Sequence, residues 1–202
     1  MTATVPRAGL REWLGLAVLT MPALLIAVDF TVLHLAVPHL SAALQPSSAQ
    51  LLWIVDIYGF GIAGLLISMG TLGDRIGRRR LLLIGGAAFA AASVVAAYAP
   101  TAEALIGARA LLGVSGATLL PSTLSLITTM FRDADQRRLA IAVWATSFSI
   151  GGVIGPLVGG ALLEHFWWGS VFLLAVPVML LLLVAGPRGV AGHPRPGAER
   201  GG

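Results

Sequence analysis

Cysteine, lysine and asparagine are all missing from these 202 residues, and charged side chains make up only 11% of them. The absence of cysteine excludes a disulfide framework, a thiolate metal site and a cysteine nucleophile. The absence of lysine leaves arginine as the sole source of the 13 basic groups. The scarcity of charge excludes a soluble domain, because 57% apolar residues would leave such a fold with more greasy surface than it can bury. The net charge of +4 does not build a nucleic-acid stripe, since nearly all the arginines fall in short breaks between apolar runs. What remains is the composition of an integral membrane protein.

A helix needs about 17–25 apolar residues to cross a hydrocarbon core of roughly 30 Å. Six windows meet or approach that length: 13–37, 51–72, 81–99, 103–131, 139–163 and 170–185. The first is too long for a signal-peptide core and no clean cleavage pattern follows it, so it counts as helix 1. Arginine alternates between the breaks. Arg7 and Arg11 precede helix 1, Arg75, Arg78, Arg79 and Arg80 lie between helices 2 and 3, Arg132, Arg137 and Arg138 between helices 4 and 5, and Arg188, Arg195 and Arg200 after helix 6. The intervening breaks have none. By the positive-inside rule both termini are cytoplasmic. Trp53, Tyr98, Trp167 and Trp168 fall at outer ends and Trp13 and Phe131 at inner ends, as an interfacial belt requires. The expected organisation is a cytoplasmic segment 1–12, a bundle over 13–185, and a disordered cytoplasmic tail over 186–202, where Gly, Pro and Arg leave no apolar period.

Three ionisable residues interrupt the apolar windows: Asp29 in helix 1, Asp56 in helix 2 and Arg109 in helix 4. An arginine inside the membrane costs on the order of 3 kcal/mol even on the gentlest scale, so Arg109 must reach a partner, water or the interface. By helix rise, Asp29 lies about 24 Å from the cytoplasmic end of its helix, and Asp56 and Arg109 within about 10 Å of the outer ends of theirs. All three fall in the outer half. The expected arrangement has Asp29 facing a central cavity with Arg109, and Asp56 nearby. His34, five residues from Asp29, points about 140° away around the helix and belongs to no shared site with it.

The turn GTLGDRIGRRR carries Gly70, Leu72, Asp74, Arg75, Gly77, Arg78 and Arg79 in the spacing Gly-x-Leu-x-Asp-Arg-x-Gly-Arg-Arg. That spacing resembles the loop between helices 2 and 3 of the major facilitator superfamily of secondary transporters. In helix 5, GGVIGPLVGG sets Gly151, Gly155 and Gly159 at intervals of four, with Gly152, Pro156 and Gly160 one step round. A face without side chains lets a neighbouring helix approach closely. The run Gly-x-x-x-Gly-Pro-x-x-Gly-Gly is also similar to the superfamily's drug:proton antiporter signature. Arg109 and Gly113 in helix 4, with Leu112 in place of the common Gln, resemble the motif to which proton coupling is assigned. Asp29, Thr31, Ala36 and Pro38, together with Asp56, resemble the fourteen-helix branch, the quaternary-ammonium multidrug exporters in particular.

Two other matches fail. GFGIAG at 59–64 fits Gly-x-Gly-x-x-Gly, but it lies inside an apolar helix with no strand before it. GVSG at 113–116 matches the serine motif of six-helix rhomboid proteases, whose helix 6 must supply a histidine to activate the serine, and helix 6 here has none. The chain is not expected to be an enzyme.

The resemblance implies an all-α integral membrane fold, six helices forming two three-helix repeats, one half of a major facilitator fold. It implies proton-coupled export of lipophilic or quaternary-ammonium cations across the bacterial cytoplasmic membrane. Asp29, Asp56 and Arg109 would couple proton to cation. Gly70, Asp74, Arg75, Gly77, Arg78 and Arg79 would form a cytoplasmic gate, and Gly151, Gly155, Pro156, Gly159 and Gly160 the antiporter motif. No cofactor or metal is implied beyond the proton as coupling ion. The partners would be the lipid bilayer, cationic hydrophobic small molecules, and either a second transporter half or a second copy of the chain, with no nucleic acid. Six helices supply one wall of a cavity that needs two, so the chain alone is expected to be inactive; the alternative is a non-transporting membrane subunit or partner-binding fragment.

Overall fold

The computed structural model describes residues 7–189, and every regular element among them is helical. The helices are α1 (Leu10–Leu44), α2 (Ser48–Ile76), α3 (Arg78–Ala97), α4 (Ala102–Met130), α5 (Ala134–His165), α6 (Ser170–Leu173) and α7 (Ala175–Gly189). The first five are long and apolar enough to cross a membrane. The sixth expected helix is the pair α6–α7. Leu174 between them keeps helical angles, and Pro177, which has no N–H, cannot bond the Leu173 carbonyl, so the ladder lapses there.

The helices run past the apolar windows at both ends because caps, not hydrophobicity, stop them. Helix α1 continues through Pro38 to Leu44, and ends where Gln45 turns left-handed ahead of Pro46. Helix α2 starts three residues before its window. There the Ser47 hydroxyl accepts from the Gln50 N–H and the Gln50 side chain accepts from the Ser47 N–H, a reciprocal cap that satisfies two orphan donors. Thr101 and Asp133 cap α4 and α5 by single bonds, their side-chain oxygens accepting from the N–H groups of Ala104 and Gln136. Helix α7 extends to Gly189, past the end of its apolar window. The rest of the tail expected to be disordered lies outside the described residues.

Packing follows a reciprocal pattern. The first helix of each three-helix repeat lies against the second and third helices of the other: α1 on α5 and α7, and α4 on α2 and α3. This is the pairing that a two-fold relation between the repeats produces. The buried ridges match as well, since Leu19, Ile26, Leu33 and Leu40 of α1 repeat every seven residues and so do Leu105, Leu112 and Leu119 of α4. A seven-residue apolar spacing keeps one stripe of a helix facing its neighbour.

Glycine decides how close the long pairs come. A Cβ at Gly151 would lie 2.5 Å from the Leu24 carbonyl oxygen, one at Gly155 would run into Thr31 Oγ1, and one at Gly159 would sit 3.0 Å from Val32 Cγ1. The contacts climb both helices together, so α1 and α5 run parallel. On the other pair, a Cβ at Gly113 would lie 2.7 Å from the Tyr58 carbonyl oxygen. Gly152 and Gly160 have open space instead. Of the two small-residue rows in α5, only the 151–155–159 row is a seam.

The ends of the bundle are consistent with the aromatic belt. Trp13 and Phe131 meet edge to face at 5.0 Å, and Tyr98 and Trp167 meet at 5.8 Å at the opposite end. The Ala8 N–H donates to Gln136 Oε1 at 2.8 Å, which holds the start of α1 beside the arginine-bearing α4–α5 connection.

Gly151→Ala is expected to destabilise the bundle by about 1–3 kcal/mol, because the methyl meets backbone that cannot yield. Gly152→Ala is expected to be neutral or slightly stabilising. Thermal unfolding of the two variants in detergent checks the contrast, and equal midpoints would contradict it.

Candidate functional site

Helices α1, α2 and α4 converge on one guanidinium. Arg109 of α4 donates through Nη1 to Asp29 Oδ2 of α1 at 2.6 Å. Its Nε donates to the Ile54 carbonyl at 3.0 Å and its Nη2 to the Val55 carbonyl at 3.5 Å, both on α2. The guanidinium carbon also lies 4.4 Å from the centre of the Tyr58 ring and 6.0 Å from that of Phe172. Arginine suits this position because its planar fork donates in several directions at once and its flat face accepts an aromatic ring. The Arg109 side chain is 1% exposed and that of Asp29 13%. Arg109 therefore does not reach out to the interface. The pair is desolvated, and what exposure remains is at the carboxylate.

Asp56 is elsewhere. The face of α2 that meets α4 is formed by Ile54, Tyr58 and Ile62, all buried, and Asp56 is two residues from both Ile54 and Tyr58, about 200° around the helix. It makes no ion pair among the described residues and lines a groove between α1 and α2 with Phe30 and His34. Of the three ionisable residues expected together, Asp29 and Arg109 pair directly, while Asp56 follows Val55, whose carbonyl accepts from Arg109. Tyr58, Phe172 and the carbonyls of Ile54 and Val55 complete the centre instead. Tyr58 carried a readable signal, lying four residues from Ile54 and from Ile62; backbone acceptors carry none.

The turn between α2 and α3 is a single residue wide. Gly77 ends one helix and begins the next at φ +99°, a conformation that other L residues resist. Asp74 Oδ1 accepts from Arg78 Nη2 at 2.6 Å across the turn. The Arg78 side chain lies over Gly73, where a Cβ would come within 2.9 Å of Arg78 Cδ. Arg78 Nε and Nη1 are buried without a hydrogen-bond partner among the described residues. Arg75 and Arg80 are exposed at the same end. Gly70, seven residues before Gly77, faces Pro121 of α4, whose Cβ would lie 3.9 Å from a Cβ added at Gly70. In α5, Gly151, Gly155 and Gly159 face α1, while Pro156 is exposed and Gly160 has open space around it.

A bundle of membrane-length helices in two interlocked repeats, with an ion pair buried between the first helices of each, is the architecture of a secondary-transporter half. The profile of the Major Facilitator Superfamily matches residues 19–201, and the chain belongs to that family. It is 60% identical over 198 residues to the multidrug efflux pump LfrA of Mycolicibacterium smegmatis, a match covering 97% of this chain and 39% of that protein. It is 47% identical over 173 residues to the methyl viologen resistance protein SmvA of Salmonella typhimurium, covering 86% of this chain and 35% of that one. The chain thus spans less than two-fifths of the length of these curated relatives. Among solved structures, a peptide transporter POT superposes with a TM-score of 0.77 at 22% identity, covering 93% of this chain and 41% of that one, which shows the fold.

Replacing Arg109 with leucine would leave the Asp29 carboxylate without its buried counter-charge, an expected loss of about 3–5 kcal/mol. The double variant Asp29→Leu/Arg109→Leu is expected to recover most of it. Detergent melting of both reports the coupling, and additive losses would exclude it.

Proposed function

We propose that this chain forms the first half of a proton-coupled multidrug efflux transporter, exporting lipophilic or quaternary-ammonium cations across the bacterial cytoplasmic membrane. The observation that carries the reading is the Asp29–Arg109 pair, a carboxylate and a guanidinium 2.6 Å apart inside the apolar bundle. Intramembrane ionisable groups of this kind mark ion pathways and proton relays. A carboxylate held this way can exchange its partner guanidinium for a proton or an organic cation, which is the minimum chemistry of antiport. The named activities of the relatives, multidrug efflux and methyl viologen resistance, supply the substrate class. No cofactor enters; the coupling ion is the proton.

Alternating access rocks one bundle against another around a midplane site. Helices α2 and α5 are the least buried of the five long ones, and Ile67, Val153 and Leu157 are at least 70% exposed. A second six-helix half, supplied by further chain, a separate protein or a second copy, would cover that apolar surface and provide the opposite wall of the cavity. The gate residues Gly70, Asp74, Arg75, Gly77, Arg78 and Arg79 would then meet it at the cytoplasmic end, where the Asp74 carboxylate is exposed. By itself this half is inactive.

Two measurements test the reading. In a full-length transporter made by joining residues 1–185 to the remaining helices of the 60%-identical relative, Asp29→Asn is expected to abolish or sharply reduce proton-driven ethidium efflux; undiminished efflux would sink the assignment. Because the chain has no cysteine, orientation can be read without background. A membrane-impermeant maleimide applied to intact cells is expected to label Ser48→Cys and spare Arg80→Cys, and the reverse pattern would invert the topology.

A further inference from the structure

The start of α1 and the α4–α5 connection meet at one end of the bundle. Their hydrogen bond, from the Ala8 N–H to Gln136 Oε1, joins residues 128 apart in the chain. The Trp13–Phe131 ring contact at 5.0 Å joins the same two segments. Arginine flanks both contacts: Arg7 precedes Ala8, Arg137 follows Gln136 and Arg132 follows Phe131, with Arg11 and Arg138 completing the group. None of the five belongs to the buried pair or to the gate motif.

The acids of these segments do not balance them. Glu12 accepts from the Gly9 N–H at 2.8 Å and Asp133 from the Gln136 N–H at 3.0 Å, so both close helix starts. Asp135 is drawn to Arg138 at 3.5 Å. Arg7, Arg132 and Arg137 have no acidic partner among the described residues. With five guanidiniums to three carboxylates, the junction keeps a positive surplus. Arg137 is half-buried and lies two seven-residue steps before Gly151, on the stripe of α5 that meets α1. Arg138 is about 100° round the helix from it, and its side chain is 81% exposed. Beside the junction on α1, Leu10 and Leu14 stand one turn apart, 77% and 59% exposed.

We propose that this junction holds the headgroup of an anionic phospholipid, with Arg7, Arg132 and Arg137 on its phosphates and its acyl chains along Leu10 and Leu14. Guanidinium forks match phosphate oxygens in pairs, and basic pockets between membrane helices on the cytoplasmic side take such headgroups. The Trp13 and Phe131 rings set these arginines at interfacial depth, where lipid phosphates are. Three guanidiniums drawn from two segments suit two phosphates better than one, so a two-phosphate headgroup binds more tightly than a single phosphodiester. A lipid seated there joins the first repeat to the second from outside, as Arg109 does from within. The assignment of the site to the cytoplasmic leaflet rests on the arginine topology; the binding itself does not, and neither depends on the exporter reading.

The test is native mass spectrometry of the purified, delipidated chain titrated with cardiolipin, phosphatidylglycerol or phosphatidylethanolamine. Cardiolipin is expected to be retained best and net-neutral phosphatidylethanolamine least. Arg137→Gln should weaken cardiolipin retention about fivefold, the order expected of one basic group at an anionic surface. Arg138→Gln and Arg80→Gln remove the same charge elsewhere on this end and should leave it within about twofold. The triple variant Arg7→Gln/Arg132→Gln/Arg137→Gln should lose about a hundredfold. Inorganic diphosphate at matched concentration should not displace the lipid, because it has no chains. A second measurement reports on the folded chain: cardiolipin should raise the melting midpoint in detergent for the parent and for Arg138→Gln, and not for the triple variant. Equal retention of the three lipids, equal losses in Arg137→Gln and Arg138→Gln, or displacement by inorganic diphosphate would each overturn the proposal. Failure of efflux to respond to Asp29→Asn would instead overturn the exporter reading and leave this site standing.

Discussion

The bundle depends on the desolvated contact between Arg109 and Asp29. Three helices end their freedom there, because one guanidinium bonds the carboxylate of α1 and two carbonyls of α2 from its place on α4. Those helices come from both repeats, so the contact ties the repeats to each other rather than stiffening either one. In an apolar medium packing alone fixes position weakly, since lipid chains are as good a neighbour as leucine. A charged donor with several directions adds what packing does not, a unique rotation for each helix.

Close approach makes that contact possible. A guanidinium reaches a neighbouring backbone only when the helix axes are near, and the α2–α4 crossing is near because Gly61 and Gly113 meet with no side chain between them. The α1–α5 crossing uses Gly151, Gly155 and Gly159 for the same purpose. Each first helix is thus clamped to the second helix of the opposite repeat. The outer faces of α2 and α5 stay bare as a result, and Gly152, Pro156 and Gly160 lie off the seam on α5.

Much of this was readable before any coordinates. Alternating arginines, apolar windows and the ionisable residues within them gave the six helices and the two groups that pair. The limits of the helices were hidden because apolar content marks where lipid is, while caps such as Ser47 with Gln50 mark where hydrogen bonding stops. Placing Asp56 by depth alone lost its direction; the 200° rotation from Tyr58 was available from helical spacing and separates it from Arg109. The choice between the two small-residue rows of α5 was not available, since both rows are equally free of bulk and only the position of α1 distinguishes them. The carbonyls that hold Arg109 belong to residues of any type and leave no trace in sequence.

The partners in the buried pair are 80 residues apart, and a ribosome working at about 5–20 residues per second needs roughly 4–16 s to traverse that interval. Helix α1 is therefore finished, carboxylate included, well before α4 exists. During those seconds the arginines already made lie in the breaks between apolar windows and none lies within a window as Arg109 does, and α1 also lacks α5, the helix whose glycines receive it. The order of synthesis leaves the helix with the earliest charge as the last to find its place, and makes the insertion machinery, not the finished fold, its first environment.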